Sequence, residues 1–356
     1  MSRSTSIEIN LSAIDANLRS LKKSAGSQKL IAVVKANAYG HGAARVATHI
    51  EDTVDAFAVA FTEEAVELRE SGIAAPVLVL EGPHTPSELS LSSKLDLWPV
   101  LHQAEQLEWC TNLDNPLKHA WIKVDTGMHR LGFPPSELAG VKQRLGEAQI
   151  QNMTIMSHLA SAESPESDIT QGQIRQWNSH CADLCDTASL HNSAATRHGI
   201  TGRSHWVRVG YALYGGRIGN DPLDSELLPA MQLSSRVLAV RHVKRGEAVG
   251  YGARWVAEKD SKIATIPVGY GDGYPWAAAD GTPVVVSGQV VPLAGRVSMD
   301  MITVDVTDID TVEPGAPVVL WGDTPRVDEV AAHSGTIGYE LMTRLTGRVP
   351  KHYVSS

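Results

Sequence analysis

A (β/α)8 TIM-like barrel followed by a smaller, mostly-β domain is the α/β architecture that this sequence predicts. Three features carry the prediction. From residue 31 to Gly210, short apolar runs alternate with amphipathic stretches, the pattern of parallel strands joined by crossover helices. The runs number eight, which suits a closed barrel better than an open doubly wound sheet. After Gly210 the texture changes to short β-branched runs set apart by Gly, Pro and Asp turns.

Ile7-Glu8-Ile9 alternates as a short strand, and Asn10 or Ser12 is placed to cap a helix running to about Lys23. The barrel runs fall at 31–35, 55–60, 76–80, 95–101, 120–125, 154–159, 189–193 and 206–210. Helices are predicted over 43–51, 62–71, 85–92, 103–111, 135–145 and 171–187. The seventh run is short and polar, so the count of eight rests least on it. Residues 211–229 are rich in Gly, Pro and Asp and read as a connection. Strands follow at 236–243, 262–268, 283–286, 301–306 and 317–320, then one short helix near 327–334. The domains are therefore drawn at 1–228 and 229–356, with the strand near 7–9 free to join the β domain.

The composition narrows the function classes. The chain has 356 residues, 43% of them apolar and 20% charged, as a soluble globular protein does. A net charge of −9 without a basic block argues against nucleic acid as a partner. No apolar stretch is long enough for a membrane helix, and the first residues lack the apolar core of a signal peptide. Three cysteines do not make a disulfide framework, and the expected location is cytoplasmic. The 14 histidines invite a metal reading, but His191, His198 and His205 lie across loop and strand with no closed cluster of carboxylates or thiols. No metal is expected. Gly269-x-Gly271-x-Gly273 falls short of a dinucleotide fingerprint, since no helix follows it.

The chemistry centres on Ala32-Val33-Val34-Lys35-Ala36-Asn37-Ala38-Tyr39-Gly40-His41-Gly42. A lysine at the end of a buried strand is costly to desolvate unless it is paired or covalently used. Two readings stand: an ammonium that snorkels out of the strand end, or an amine that binds a carbonyl cofactor at the catalytic end of a barrel.

The same string resembles the lysine signature of bacterial alanine racemases, pyridoxal 5'-phosphate enzymes, and further motifs match in order along nearly the whole chain. The resemblance implies that Lys35 holds the cofactor as a Schiff base and serves as one of two bases. It implies that Tyr251, in Glu247-Ala248-Val249-Gly250-Tyr251-Gly252-Ala253, is the opposed base. A phenol with a pKa near ~10 needs help to act so at neutral pH. His158 and Arg208 match the relay that reaches this tyrosine, and Arg208 also matches the residue facing the pyridine nitrogen. A guanidinium does not give up its proton, so that nitrogen stays unprotonated and the ring is a weaker electron sink than beside an acid.

By the same resemblance, Arg130 in Val124-Asp125-Thr126-Gly127-Met128-His129-Arg130 sits by the substrate carboxylate, where a planar fork is suited. Lys123, inside a strand, matches a lysine that is carbamylated in many members. Tyr39, Asn192, Ser193, Gly210, Tyr211 and Tyr339 match phosphate contacts. Met299, Asp300 and Tyr270 match substrate-side positions, with Asp300 supporting the Met299 loop and Tyr270 narrowing the entrance. In alanine racemases the tyrosine base and the Met299 position come from the second subunit, so a homodimer with shared sites is implied.

Three alternatives remain at this level: a racemase of broader specificity, a decarboxylase on the same architecture, and a non-enzymatic cofactor-binding protein. A decarboxylase should lack the opposed tyrosine and carry an acid at the ring nitrogen. A non-enzymatic relative should be single-domain.

Overall fold

The computed structural model describes residues 4–218 and 226–355, in two compact units. One holds residues 17–213 with Ile218 and Glu226; the other holds residues 4–16, 214–217 and 227–355. The first strand, β1 (Ser6–Asn10), lies in the second of these units.

The first unit is a ring of eight parallel strands: β2 (Lys29–Val33), β3 (Ala56–Val59), β4 (Val77–Val79), β5 (Leu97–Leu101), β6 (His119–Lys123), β7 (Asn152–Met156), β8 (Thr187–Ser189) and β9 (Trp206–Val209). They pair in the order β8-β7-β6-β5-β4-β3-β2-β9. The strands read as continuous apolar runs because both faces are covered, the inner by other strands' side chains and the outer by helices. Every residue of β3 and β4 is buried.

The ring closes weakly between β8 and β9. No regular ladder joins them. His205 N–H donates to the Ala188 carbonyl (2.7 Å) and Arg208 N–H to the His191 carbonyl (2.9 Å), with one bridge between Asn192 and Arg208. The bridge sets Asn192 against Arg208. The seventh run is shifted from its predicted place. The strand occupies Thr187–Ser189 instead of 189–193, because Thr187 pairs with Thr154 and their hydroxyls are 2.6 Å apart. The helix predicted to reach residue 187 runs only over Asp168–His180, capped by Ser167, whose hydroxyl accepts from Thr170 N–H. Cys181 and Cys185 lie beyond its end as buried free thiols. Burial pushes both up, Cys181 to about 11, so they pack as small apolar groups.

The N-terminal end of the ring is filled by Trp98, Trp121 and Trp206, with Trp121 and Trp206 edge-on at 6.0 Å. The Lys29 ammonium lies 5.0 Å above the Trp206 ring. Burial, aided by Lys29, pushes His119 down to about 4. That end is packing, which leaves chemistry to the other.

The second unit is antiparallel in the main. Its largest sheet runs β16 (Gln289–Pro292), β15 (Pro283–Val286), β18 (Pro317–Trp321), β10 (Met231–Arg236), β1 and β19 (Lys351–Val354). β10 shows the half-buried alternation, with Met231, Leu233 and Ser235 inward. A second sheet holds β11 (Ala239–Val243), β14 (Ser261–Ile266) and β17 (Ile302–Asp305). The run predicted as one strand over 236–243 is the end of β10 and the whole of β11, broken at Val237 and Leu238. A two-stranded hairpin, β12 (Ala248–Val249) and β13 (Trp255–Val256), projects from this unit. Among the described residues, no helix is long and apolar enough to cross a membrane.

Candidate active site

Lys35 leaves the catalytic end of the barrel on an unusual turn. Ala36, Asn37, Ala38 and Tyr39 all take left-handed backbone angles, with φ between 51° and 55°. Such angles cost L-residues energy, and a run of them persists only where the surroundings overdetermine it. The turn is tied from several sides. Ala38 N–H donates to the Val34 carbonyl (2.8 Å), the His41 ring meets the Ala38 and Tyr39 carbonyls (both 2.9 Å), and Asn37 Oδ1 caps the next helix at Ala43 N–H (2.8 Å). Sequence reading expected a Gly-punctuated loop here; the structure shows that non-glycine residues carry the left-handed turn.

Four cations share the barrel end. Arg208 is fully buried on β9, and its guanidinium donates to the carbonyls of Ser157 (2.7 Å), Ser189 (3.1 Å) and Leu190 (3.4 Å) and to the Ser189 hydroxyl. His158 Nδ1 lies 3.4 Å from the same guanidinium. None of these partners is a carboxylate. Burial, then Arg208, Lys123, Arg130 and Lys35, push His158 well below its ordinary pKa, so it is neutral and its ring can accept from Arg208. Burial, then Arg208 and Arg130, pull Lys123 well below the ordinary lysine range.

Asp125 opposes them, but its carboxylate is engaged. Oδ1 accepts from the N–H groups of Gly127 (2.9 Å), Met128 (3.0 Å) and His129 (3.1 Å), and Oδ2 lies 2.9 Å from His129 Nδ1. Burial works to raise this carboxyl; the N–H groups of Gly127 and His129 and the His129 ring outweigh it and hold it low. The result is a tight loop that carries exposed Arg130 back to the strand end, where Phe133 N–H meets the Lys123 carbonyl (2.9 Å). Gly132 is needed there: φ is 127°, and a Cβ would come 2.7 Å from Asp125 N.

Across the ring, Asn192 caps the short helix Ser193–Arg197 through Ala195 N–H (2.9 Å), and Ser193 Oγ accepts from Gly210 N–H (2.9 Å). A Cβ on Gly210 would lie 2.6 Å from the Tyr39 hydroxyl, so the tyrosine tip and this backbone meet only because the residue is glycine. Tyr211 follows, buried. The structure thus brings Tyr39, Asn192, Ser193, Arg208 and Gly210 to one wall.

The remaining predicted residues lie in the second unit. Tyr251 stands 71% exposed at the tip of the β12–β13 hairpin. Arg254 anchors that tip through the carbonyls of Ala278 (3.1 Å) and Gly295 (2.8 Å) and Asp280 Oδ1 (3.1 Å). Tyr270 and Met299 sit on two loops that cross: Tyr270 N–H donates to the Ser298 carbonyl (3.1 Å) and Gly271 N–H to that of Met299 (2.9 Å). Asp300 accepts from Arg348 at 2.7 Å, and Arg348 also lies 3.4 Å from buried Asp272, so one arginine braces both loops. Tyr339 lies in the first turn of the helix Gly338–Thr343 and is exposed.

Sequence reasoning missed the groups that hold Arg208 and His158 in place. Ser189, Ser157 and Gln173 are all buried. Gln173 Nε2 donates to the His158 carbonyl (3.0 Å) and Thr126 Oγ1 (3.3 Å), and its Oε1 accepts from Ala160 N–H (2.8 Å). The available signal was an amide on the same helix face as Ile174 and Trp177, which must find partners when buried.

Comparison with known proteins supplies the family. Residues 9–218 match the family model described as alanine racemase, N-terminal domain, and residues 230–353 match alanine racemase, C-terminal domain. An alanine racemase of Alteromonas mediterranea is 44% identical over 353 residues, covering 99% of each chain. The biosynthetic alanine racemase of Pseudomonas aeruginosa superposes with a TM-score of 0.94 at 43% identity, covering 99% of both chains. That of Bartonella henselae, solved with covalently bound pyridoxal phosphate, gives 0.89 at 30% identity, again over 99% of both. With both domains and nearly the full length matched, this chain belongs to the alanine racemase family.

Proposed function

We propose that the chain interconverts L- and D-alanine with pyridoxal phosphate, using Lys35 and Tyr251 as opposed proton carriers in a homodimer whose sites are shared. The observation that carries this reading is the crowding of Lys35, Lys123, Arg130 and Arg208 about a neutral His158, with the nearby acid already engaged. Such a cluster fits an anionic ligand, and the Tyr39 and Ser193 hydroxyls, brought together at Gly210, are small groups suited to a phosphate. When bound, the cofactor supplies a conjugated ring that takes up the electron pair left at the substrate's α-carbon.

The chain's own residues do the rest. Lys35 would hold the cofactor through Nζ and carry the α-proton on one face. Tyr251 of the partner subunit would carry it on the other. Arg130 would grip the substrate carboxylate. Arg208, locked by carbonyls, would keep a donor aimed at the ring nitrogen, and neutral His158 would accept from it and link it to the phenol. Asn192 and Tyr211, with Tyr339 in the second unit, would complete the phosphate shell. Tyr270 and Met299 would crowd the mouth, with Asp300 as support. A shared site is also supported by the exposure of Tyr251, Tyr270, Trp276, Met299 and Met301, large apolar side chains of one unit that a partner surface would cover. In deuterium oxide, L-alanine incubated with holoenzyme should racemise and take deuterium at the α-carbon together; racemisation without exchange would sink the proton-transfer reading.

Lys123 carries a second consequence. An amine whose pKa is lowered by burial gives up its proton more readily, and the neutral nitrogen can add to carbon dioxide with loss of a proton. The carbamate would place a negative charge between Arg130 and Arg208. Protein equilibrated with 13C-bicarbonate should show one slowly exchanging carbamate carbon that Lys123→Arg lacks. A spectrum without that signal would leave Lys123 an amine.

A further inference from the structure

We infer that Glu64 is a positioning residue for Lys35, acting as a clamp on the left-handed turn that aims the lysine; the inference rests on Lys35 being the cofactor-binding amine. Glu64 lies in the first turn of the helix Thr62–Glu70. One carboxylate oxygen does what a glutamate at that position ordinarily does: Oε2 accepts from the N–H groups of Ala60 (2.7 Å) and Phe61 (3.3 Å) at the helix start. The other leaves its own element. Oε1 accepts from the N–H of Ala36 at 2.6 Å, 28 positions earlier in the chain.

Ala36 is the residue after Lys35 and the first of the four left-handed residues. The other ties are made within the turn and its own helix: Ala38 N–H donates to the Val34 carbonyl (2.8 Å), Gly40 N–H to the Ala36 carbonyl (3.0 Å), the His41 ring meets Ala38 and Tyr39, and Asn37 caps Ala43. Glu64 is the tie on the N–H of Ala36, where the chain leaves the lysine, and it comes from a different helix. A charged acceptor makes a shorter and stronger bond than a neutral one, as this distance shows. Alanine pays the full steric penalty of a left-handed angle, whereas glycine would not. The clamp therefore holds Ala36 where its own preference would let the chain relax, and with it the direction of the Lys35 side chain.

Glu64→Gln separates the two jobs. The amide keeps one acceptor for the helix start, and its NH2 then faces another donor if it points at Ala36. The measurement is uptake of pyridoxal phosphate by apoprotein at Lys35, followed by visible absorbance, borohydride trapping and peptide mapping, with thermal midpoint in parallel. Uptake by Glu64→Gln should slow about tenfold, equivalent to about 1.4 kcal/mol, with the midpoint nearly unchanged. Adding Ala36→Gly, which removes the left-handed penalty, should bring uptake back to within about threefold of the parent. Normal uptake by Glu64→Gln, or slow uptake that Ala36→Gly fails to restore, overturns the clamp alone. Cofactor uptake that persists in Lys35→Ala overturns the lysine assignment, and the clamp's role with it.

Discussion

Lys35→Ala should lower racemisation by at least about four orders of magnitude, because on the proposed mechanism it removes the covalent anchor and one of the two proton carriers at once. Four cations converge on this end of the barrel, and the lysine is the one that stands at the entry of the strained turn. Its removal deletes no hydrogen bond of the turn, whose ties run through Val34, Ala36, Asn37, Ala38 and His41. The variant should therefore fold with the parent's circular dichroism and thermal midpoint while binding no cofactor covalently. Parent-like activity in a folded Lys35→Ala protein would refute the assignment.

Tyr251→Phe should cost about 10²- to 10⁴-fold in rate, the usual worth of a positioned acid or base, without affecting attachment of the cofactor. The phenol is exposed on its hairpin, so the change should leave stability within about 0.5 kcal/mol. The two variants together test the shared site. In a dimer of one Lys35→Ala chain and one Tyr251→Phe chain, one site loses both groups and the other keeps both. Random exchange of equal amounts makes half the dimers mixed, each with one intact site, so about a quarter of the parent activity should return. Demonstrated subunit exchange with no recovery would mean that both groups come from one chain.

Much of the fold was legible because periodicity and burial are local properties. The apolar runs of the barrel are strands for the same reason that they are apolar: both faces are covered. The short β-branched runs after Met231 are strands of an antiparallel unit with one inward face. The reading faltered where polar residues form a strand. Thr187–Ser189 carries little apolar signal, and its place is set by pairing with β7. It faltered too where strand and turn share composition, at Val237 and Leu238.

By itself, the sequence determined the barrel-plus-β architecture, the lysine string and the residue types able to bind an anionic cofactor, because strand periodicity and side-chain chemistry are written into neighbouring positions. Tertiary structure alone decided how those groups behave. It made His158 neutral by burying it beside Arg208, Lys123, Arg130 and Lys35, and depressed Lys123 by burying it beside Arg208 and Arg130, groups that lie far apart in the chain. It satisfied Arg208 with carbonyls instead of an acid. It set alanines, not glycines, in a left-handed turn held by a carboxylate from another helix. Electrostatic environment and backbone strain depend on what the fold brings near, and no stretch of local sequence contains that.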